Sequence, residues 1–413
     1  MRLVVLLLLA AAVHAQPVAL EGRTPRLNPD APATAYVGGR WYDGERFADR
    51  DTTWAEGGVF VDGPLRDARI VDLGGRYVVP PFADAHVHRV EGEWAVDWVI
   101  ADHLEAGTFY VKNLNNIARY ARRLAPYVNH PGGIDVAFAH GGITAPGAHP
   151  FPLYARLADG VYRDLDPDSL DGIAAWGVAT IEDLERRWPD IIAERPDHVK
   201  LLLLDHESGQ GLQPDVFRRA VALAREAGLQ TSVHVDTVAD LALAVDAGAN
   251  EAAHMPPMFG ADDRFVISPA LAAHMAARDF VVTPTASVAQ ARDFGGKEAG
   301  QAQRAENVRR LLDAGVFVAT GTDGSATSAI GEAETLVEIG AMTQAQALYS
   351  LTQTGPRSVF PGRAIGVLED GYEASFLALE CDPLANLGCA RQIEQRIKQG
   401  TDLEVAPTVT EAE

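Results

Sequence analysis

Short apolar segments alternate with amphipathic segments over most of the chain after Tyr77. Eight of the apolar segments are rich in β-branched and aromatic residues, which favour β-strands. In chain order they are YVVPPFADAHVH, GTFYVKN, IDVAFAHGG, DHVKLLLL, QTSVHV, NEAAHMP, FVVTPT and FVATGTDG. This pattern predicts eight strands separated by longer connections.

The connections carry apolar residues at helical spacing. In DVFRRAVALAREAG one apolar stripe consists of Val216, Phe217, Ala220, Val221 and Ala224. Gly228 follows at a position suited to end the helix. Eight strand–helix units in succession are typical of a (β/α)8 TIM barrel. We therefore predict an α/β fold with the barrel over residues 79–363.

Two segments flanking the predicted barrel have a different pattern. Residues 35–78 and 364–413 contain short strand-like pieces that Gly and Asp interrupt. We expect these segments to pair into one small, discontinuous, β-sandwich-like domain.

Residues 1–15 have the pattern of a secretory signal peptide. Arg2 is followed by the apolar run LVVLLLLAAAV, which is too short to span a bilayer, and Val13-His14-Ala15 supplies a cleavage site. We expect cleavage after Ala15, a mature chain without a membrane span, and secretion, to the periplasm where an outer membrane exists. An uncleaved N-terminal anchor is the alternative.

The charge balance narrows the set of partners. With 35 Lys and Arg against 57 Asp and Glu, the formal net charge is −22. A surface of this sign repels nucleic acid and anionic lipid, so neither is an expected partner. The charge says little about the substrate, which we expect to be a small molecule. A homo-oligomer is compatible with the sequence.

The chain has two cysteines, Cys381 and Cys389. In an exported protein they could form a disulfide that closes a short loop, or they could remain two thiols. Two cysteines are too few for a structural zinc site.

The first candidate for chemistry is the pair His86 and His88 at the end of the first predicted strand. Residues i and i+2 of a strand lie on the same face, so the two imidazoles can bind one divalent cation. This pair alone is a weak signal.

Three more potential metal ligands follow other predicted strands. His234, His254 and Asp323 come at the ends of the fifth, sixth and eighth strands. Taken singly, each could be a core histidine or a helix-capping aspartate. Catalytic groups of a barrel gather at the carboxyl ends of its strands, so together these residues predict a metal site.

Lys200 lies within the apolar segment DHVKLLLL. Burying an ammonium group costs several kcal/mol unless it is paired or neutralised. The side chain could pair with Asp205 or Glu207, or extend to solvent. Alternatively, CO2 could convert the amine into a carbamate, which has two anionic oxygens and can bridge two metals.

These motifs, in this order, resemble those of the amidohydrolase superfamily of metal-dependent hydrolases. RYVVPPFADAHVH is similar to the signature of its first strand, with Pro81 in place of the usual Gly, and DHVKLLLL resembles the strand with the carboxylated lysine. TSVHVDTVADLALAVDAGANEAAHMP resembles the two-histidine segment, and VATGTDG resembles the last strand. The C-terminal stretch from Leu351 is also similar, although Ala374-Ser375 stands where the family has Ala-Asp.

The resemblance implies a binuclear metal centre. His86, His88 and Asp323 would hold the more buried ion. His234 and His254 would hold the outer one. Imidazole and carboxylate ligands suit Zn²⁺ first, with Mn²⁺, Fe²⁺ or Co²⁺ as alternatives.

The resemblance also implies a mechanism. Carbamylated Lys200 and a hydroxide would bridge the ions, and the hydroxide would attack the substrate carbonyl. Asp323 would accept the proton of the attacking water and deliver it to the leaving amine.

Three other histidines are candidates for contact with substrate. His140 and His149 lie in FAHGGITAPGAHP after the third predicted strand, and His206 follows the fourth. Each could instead have a purely structural role in its loop.

The leading hypothesis is a secreted hydrolase of non-aromatic amide bonds, with dipeptides or cyclic amides as substrates, similar to the Xaa-Pro dipeptidase-like and imidazolonepropionase-like branches. Lactone or ester hydrolysis could use the same centre. A secreted, non-catalytic barrel that binds metal or solute is a third reading.

Overall fold

The computed structural model describes residues 27–88, 90–158, 160, 162–256, 261–291, 297–324 and 328–404. The predicted signal peptide, its cleavage site and the mature start at Gln16 lie outside these residues. Within the described ranges, no helix is both long and apolar enough to cross a membrane.

The described strands and helices follow in chain order. The strands are β1 (Thr34–Tyr42), β2 (Phe47–Glu56), β3 (Val59–Val61), β4 (Arg69–Asp72), β5 (Tyr77–Val79), β6 (Phe82–Val87), β7 (Thr108–Asn113), β8 (Asp135–Phe138), β9 (Gly142–Thr144), β10 (Ala175–Gly177), β11 (His198–Leu202), β12 (Gln230–His234), β13 (Glu251–Ala252), β14 (Val281–Val282), β15 (Phe317–Val318), β16 (Phe376–Leu379), β17 (Ile393–Lys398) and β18 (Thr401–Asp402). The α-helices are α1 (Ala101–Glu105), α2 (Ala118–Ala121), α3 (Phe151–Leu157), α4 (Ile181–Ala193), α5 (Pro214–Glu226), α6 (Val238–Ala247), α7 (Pro269–Ala276), α8 (Ala286–Ala291), α9 (Lys297–Asp313), α10 (Ala329–Glu338), α11 (Gln344–Tyr349) and α12 (Gly355–Val359).

Segments from both ends of the chain share one eight-stranded sheet. Its order is β18-β17-β16-β5-β1-β2-β3, and β4 also pairs with β1. Leu377 of β16 lies opposite Val79 of β5, which joins the C-terminal segment to the N-terminal one. Trp41 and Phe376 pack with ring centroids 5.3 Å apart in its core. The predicted sandwich-like unit is thus one branched sheet in the structure.

The remaining strands form two parallel sheets. Their orders are β6-β7-β8 and β10-β9-β11-β12-β13-β14-β15. Backbone hydrogen bonds connect the two sheets at both margins: Ala85 N donates to Thr320 O at 2.9 Å, and Asp197 N donates to Phe138 O at 2.8 Å. The result is an α/β, TIM-barrel-like fold.

All eight predicted strand segments contain strands of these sheets. The first is divided at Pro80-Pro81, because proline has no N–H for a ladder. The third contains β8 and, beyond His140, whose φ is +57°, reaches only Gly142, the first residue of β9. Neither β9 nor β10 was predicted, since three residues are too short to show a period.

The amphipathic pattern of α5 is confirmed. Its predicted stripe is buried, with Phe217, Ala220 and Ala224 fully inaccessible. Gly228 follows the helix with a φ of +70°, a conformation that only glycine adopts without strain. Helices of this kind cover the outer faces of the parallel strands and leave the interior for polar side chains.

Cys381 and Cys389 form a disulfide. The sequence allowed either a disulfide or two thiols, and the structure has the disulfide.

Candidate metal centre

Three side chains of metal-ligand type converge where β6 ends and where the chain continues beyond β15. His86 Nε2 lies 3.1 Å from His88 Nε2. Asp323 Oδ1 lies 3.1 Å from His86 Nε2 and 3.2 Å from His88 Nε2. The two histidines therefore project to the same side, as their spacing predicts.

These separations fit a shared cation. A Zn–N bond of about 2.1 Å places neighbouring ligand atoms of one ion roughly 3.0–3.4 Å apart. The ligand atoms of His86, His88 and Asp323 lie within 4.8 Å of one another, and their closest contacts match that spacing. The donor set of two imidazoles and one carboxylate suits a divalent transition metal.

A second pair of imidazoles lies beside the first group. His254 Nε2 is 2.8 Å from His234 Nδ1. The rings of His86 and His254 are nearly parallel, with centroids 5.9 Å apart. The structure therefore brings together side chains from β6, from β12 and from the segments after β13 and β15.

Lys200 is buried next to these groups, with 3% of its surface exposed. In the described part of the chain it forms no ion pair with Asp205 or Glu207, the partners considered above. Burial lowers the pKa of Lys200 to about 8, although Asp323 opposes the shift. The lowered pKa increases the share of neutral amine at a given pH, and the neutral amine is the nucleophile that attacks CO2.

Burial keeps the imidazoles neutral. It lowers the pKa of His86 to about 4 against the opposing charge of Asp323, and it places the pKa values of His234 and His254 well below the ordinary value. Neutral imidazole is the form that binds metal. Burial also acts to raise the pKa of Asp323, but His86 and His88 outweigh it and hold that pKa well below its usual value.

Asp84 links the two strands that carry the first group. Its carboxylate accepts hydrogen bonds from His86 N at 3.1 Å, Thr322 N at 3.0 Å and Thr322 Oγ1 at 2.8 Å. Burial raises the pKa of Asp84 to about 7. The sequence analysis gave this residue no role, although it belongs to the motif before His-x-His.

The main chain around Asp323 is tightly constrained. His86 O accepts from Thr322 N at 3.1 Å and from Asp323 N at 2.7 Å. Asp323 has a φ of +53°, an uncommon conformation for a residue with a side chain. A Cβ at Gly321 would lie 2.4 Å from Thr283 Cγ2 and 2.9 Å from His86 Cβ, so this position requires glycine.

A hydrogen bond to the main chain fixes the orientation of the His86 ring. Its Nδ1 donates to Ala253 O, which leaves Nε2 as the acceptor that faces His88 and Asp323. A metal-binding histidine commonly has its other ring nitrogen bonded in this way, because the bond fixes the tautomer.

Asp240 organises the loops beyond β11 and β12. It accepts hydrogen bonds from the main-chain nitrogens of Asp205, His206 and Asp236, each at 2.9 Å. It also accepts from His206 Nδ1 at 2.6 Å. The sequence analysis missed this residue, but a signal existed: Thr237 and Asp240 have the spacing of a capping box at the start of α6.

The three histidines predicted to contact substrate have different surroundings. The ring of His149 lies 5.7 Å from that of His234, next to the cluster. His140 is buried and its Nδ1 contacts Asn116 Nδ2 at 3.1 Å. His206 is bonded to Asp240, and no hydrogen bond, ion pair or ring contact joins it to the clustered ligands within the described residues.

Known structures share this fold. A Xaa-Pro dipeptidase with bound methionine in the active site superposes with a TM-score of 0.70 at 17% identity, covering 90% of this chain and 100% of its own. A putative prolidase from Bifidobacterium longum gives 0.71 at 16%, with 91% and 96% coverage. Phenylurea hydrolase B gives 0.71 at 19%, with 92% and 100% coverage. No curated protein sequence matches the chain.

The profile of the Amidohydrolase family matches residues 77–403, which is most of the chain. This range contains the His-x-His strand, the lysine strand, both later histidines and the terminal aspartate. The chain therefore belongs to the amidohydrolase family and is a hydrolase.

Proposed function

We propose that this enzyme hydrolyses a non-aromatic amide bond of a small molecule with two divalent cations, with Zn²⁺ as the first choice for this ligand set. The main support for this proposal is that His86, His88 and Asp323 converge beside His234 and His254. The first three residues would hold one ion and the other two the second. Carbamylated Lys200 would be a ligand of both.

The proposal includes the architecture around the site. Residues 79–363 would form one closed (β/α)8 barrel, and residues 35–78 with 364–413 would form the small domain. The hydrogen bonds at both margins of the parallel sheets and the shared terminal sheet support this division. A closed barrel brings the carboxyl ends of all its strands to one mouth.

When bound, such cations lower the pKa of a coordinated water and polarise the scissile carbonyl. The role of Asp323 is proton transfer. Its carboxylate is ionised and lies against the ring nitrogens of His86 and His88. It would accept the proton of the attacking water at a carboxylate oxygen and deliver it to the nitrogen of the leaving amine.

Lys200 enters this chemistry through its amine. A neutral lysine and CO2 give a carbamate and one proton, which turns a buried cation into an anionic ligand. Its burial, the lack of an ion pair with Asp205 or Glu207 and its lowered pKa all favour this conversion. In an unmodified state, the ammonium would repel the cations that the neighbouring side chains are placed to hold.

The site and the proteins that share its fold point to the class of substrate. Among proteins with this fold are a Xaa-Pro dipeptidase, a putative prolidase and phenylurea hydrolase B, whose names describe amide or urea substrates. Dipeptides and cyclic amides are therefore the first substrates to test. Of the predicted substrate contacts, His149 has the strongest support because it adjoins His234. His140 and His206 remain proposals.

Metal analysis and a substrate panel test the function together. The purified protein should contain close to two divalent ions per chain. It should hydrolyse members of a dipeptide and cyclic-amide panel, lose the activity to a chelator and regain it with Zn²⁺ and bicarbonate. Hydrolysis of lactones in place of amides would identify the ester alternative. Two bound ions without turnover of any panel member would contradict the proposal.

Secretion is a separate proposal that rests on residues 1–15. The intact mass of protein expressed with its leader should correspond to a chain that begins at Gln16. An N-terminus at Met1 in exported material would contradict cleavage.

A further inference from the structure

The buried carboxylates of this protein have partners, with one exception among the described residues. Those with named hydrogen bonds or ion pairs are Asp84, Asp135, Asp240, Glu251, Glu332 and Glu373. Glu91 has 8% of its surface exposed, yet no hydrogen bond or ion pair to it exists within the described residues. Burial alone raises the pKa of Glu91 well above its usual value.

Glu91 lies at the mouth of the parallel strands. It follows β6 by four residues and His88 by three, in the loop beyond the carboxyl end of the strand. The preceding residue is anchored, because Asn113 Nδ2 at the end of β7 donates to Val90 O. The loop therefore holds the carboxyl group in a defined place rather than leaving it free to reach solvent.

A series of neighbouring residues leads from Glu91 towards the proposed metal centre. Glu91 adds to burial in raising the pKa of Tyr154, so the two side chains lie within electrostatic range of each other. Tyr154 OH accepts from Asn115 Nδ2 at 2.9 Å, and Asn115 Oδ1 accepts from Gly142 N at 2.8 Å. A Cβ at Gly142 would lie 3.3 Å from Lys200 Cγ.

Aromatic rings form one wall of this region. Tyr154 contacts Tyr162 at 5.5 Å between centroids, and Trp94 contacts Tyr120 at 5.2 Å and Tyr162 at 5.4 Å. Aromatic faces attract organic cations, and a desolvated carboxylate binds them more strongly than an exposed one. Burial without a described partner favours the neutral acid of Glu91, and a cation that reaches it would favour the carboxylate instead.

We propose that Glu91 is a specificity residue that binds a side-chain ammonium or guanidinium group of the substrate. This inference rests on the proposed function and narrows it to amides with a positively charged side chain. The neutral aromatic wall would accommodate the alkyl part of the same group. The binding of the cation would supply the partner that Glu91 lacks in the described part of the chain.

Matched dipeptides test the proposal with the metal-loaded, full-length enzyme. Lysine and norleucine differ by an ammonium in place of a methyl group, so pairs with lysine or norleucine at the first or the second residue isolate the charge. Wild type should prefer lysine at one position by about tenfold or more in kcat/KM, which is the range of a charge-assisted hydrogen bond. Glu91→Gln should abolish the preference and leave the norleucine substrates within about threefold of wild type.

Glu93→Gln is the matched control, because Glu93 is an exposed acid two residues away, 3.9 Å from Arg123. It should keep the lysine preference. Equal rates for lysine and norleucine substrates in wild type, or a preference that survives in Glu91→Gln, would overturn the proposal.

Calorimetric binding separates this result from failure of the proposed function. The amides of lysine and norleucine can be titrated into wild type and Glu91→Gln whether or not any dipeptide is cleaved. Selective binding of lysine amide that Glu91→Gln loses would support the cation subsite even if hydrolysis failed. Equal binding of the two amides by wild type would overturn it.

Discussion

Two polar clusters lie at opposite ends of the parallel strands and differ in how their charges are paired. The basal charge cluster consists of Asp135, Arg363, Glu373 and Lys398, with Asp135 at the start of β8. The metal cluster consists of His86, His88, Lys200, His234, His254 and Asp323, at and beyond the ends of the strands that carry them. The side chains of the basal charge cluster are at most 6% exposed, whereas His88 is 36% and Asp323 is 16% exposed, so the metal cluster is also the more accessible of the two.

The basal charge cluster balances its charges internally. Asp135 pairs with Arg363 and with Lys398, each at 2.7 Å. Glu373 accepts from Arg363 Nη2 at 2.7 Å. Two acids face two bases from β8, from β17 and from the segment between α12 and β16. The cluster thus joins the terminal sheet to the parallel strands, and it leaves no net charge for a ligand.

The metal cluster is not balanced in this way. Its imidazoles face one another, and Lys200 forms no ion pair with Asp205 or Glu207, the acids near it in sequence. A divalent cation would supply the positive charge that these ligand atoms can share. The basal charge cluster thus pairs its charges within the protein, whereas the metal cluster presents its ligand atoms to a cation.

The largest expected effect concerns turnover. Asp323→Asn should lower kcat/KM by about 10²–10⁴-fold, the usual contribution of general acid–base catalysis, with only a small change in stability. Steady-state kinetics and thermal unfolding of the metal-loaded variant measure both quantities. Retained turnover would show that Asp323 does not transfer the proton. Loss of folding would show that Asp323 stabilises the fold, as the residues of the basal charge cluster do.

The second effect concerns stability. Lys398→Met leaves two buried acids, Asp135 and Glu373, with Arg363 as the remaining base of the cluster, so the free energy of unfolding should fall by about 3–5 kcal/mol. Urea denaturation measures the change, and kcat of the folded enzyme should stay near wild type. Arg391→Met is the control, because it breaks an exposed ion pair with Glu334 that contributes about 0–1 kcal/mol. A similar small loss for Lys398→Met would contradict the stabilising role.

The third effect is a pH dependence of the metal-free protein. Burial lowers the pKa of His86 to about 4, so between pH 6.5 and 4 the unfolded chain binds a proton that the folded chain does not. The contribution of His86 to stability is therefore full above pH 6.5 and falls as the pH decreases towards 4, whereas Asp84, whose pKa burial raises to about 7, acts in the opposite direction over this range. His86 alone accounts for on the order of 3 kcal/mol.

Denaturation of the chelated enzyme at a series of pH values measures this slope. His86→Asn should make it shallower, whereas Lys398→Met should lower stability without removing the slope. An unchanged slope in His86→Asn would show that other groups dominate the acid sensitivity.

The smallest effect tests the packing behind the metal cluster. Gly321→Ala forces Thr283 or His86 to move, which should cost about 1–3 kcal/mol and weaken metal retention. Gly132→Ala is the control, because its nearest contact would be an ordinary 3.5 Å. Dialysis against a graded chelator series compares the two variants. Equal metal retention would mean that the close approach at Gly321 does not position His86.

The sequence was sufficient for those features that depend on local period and spacing. The alternation of strands and helices, the pairing of His86 with His88 on one side and the stripe of α5 all follow from the chain's geometry. The family resemblance, drawn from ordered motifs, is confirmed by the profile match over residues 77–403.

Features that depend on contacts between distant segments could not be predicted in this way. The bonds of Asp84 to Thr322 join positions 238 residues apart. The pairing of Asp135 with Lys398 spans 263. No spacing rule specifies such partners, and nothing local distinguishes Glu91, whose lack of a described partner emerges only from the folded surroundings.

The most direct test of the central claim is a crystal structure of the enzyme grown with Zn²⁺ and bicarbonate, with anomalous data at the zinc edge. The account predicts two anomalous peaks about 3.5–4 Å apart, one beside His86, His88 and Asp323 and one beside His234 and His254. Planar density should extend from Lys200 Nζ to both peaks. A bare Lys200 side chain with no peak among these residues would contradict the account.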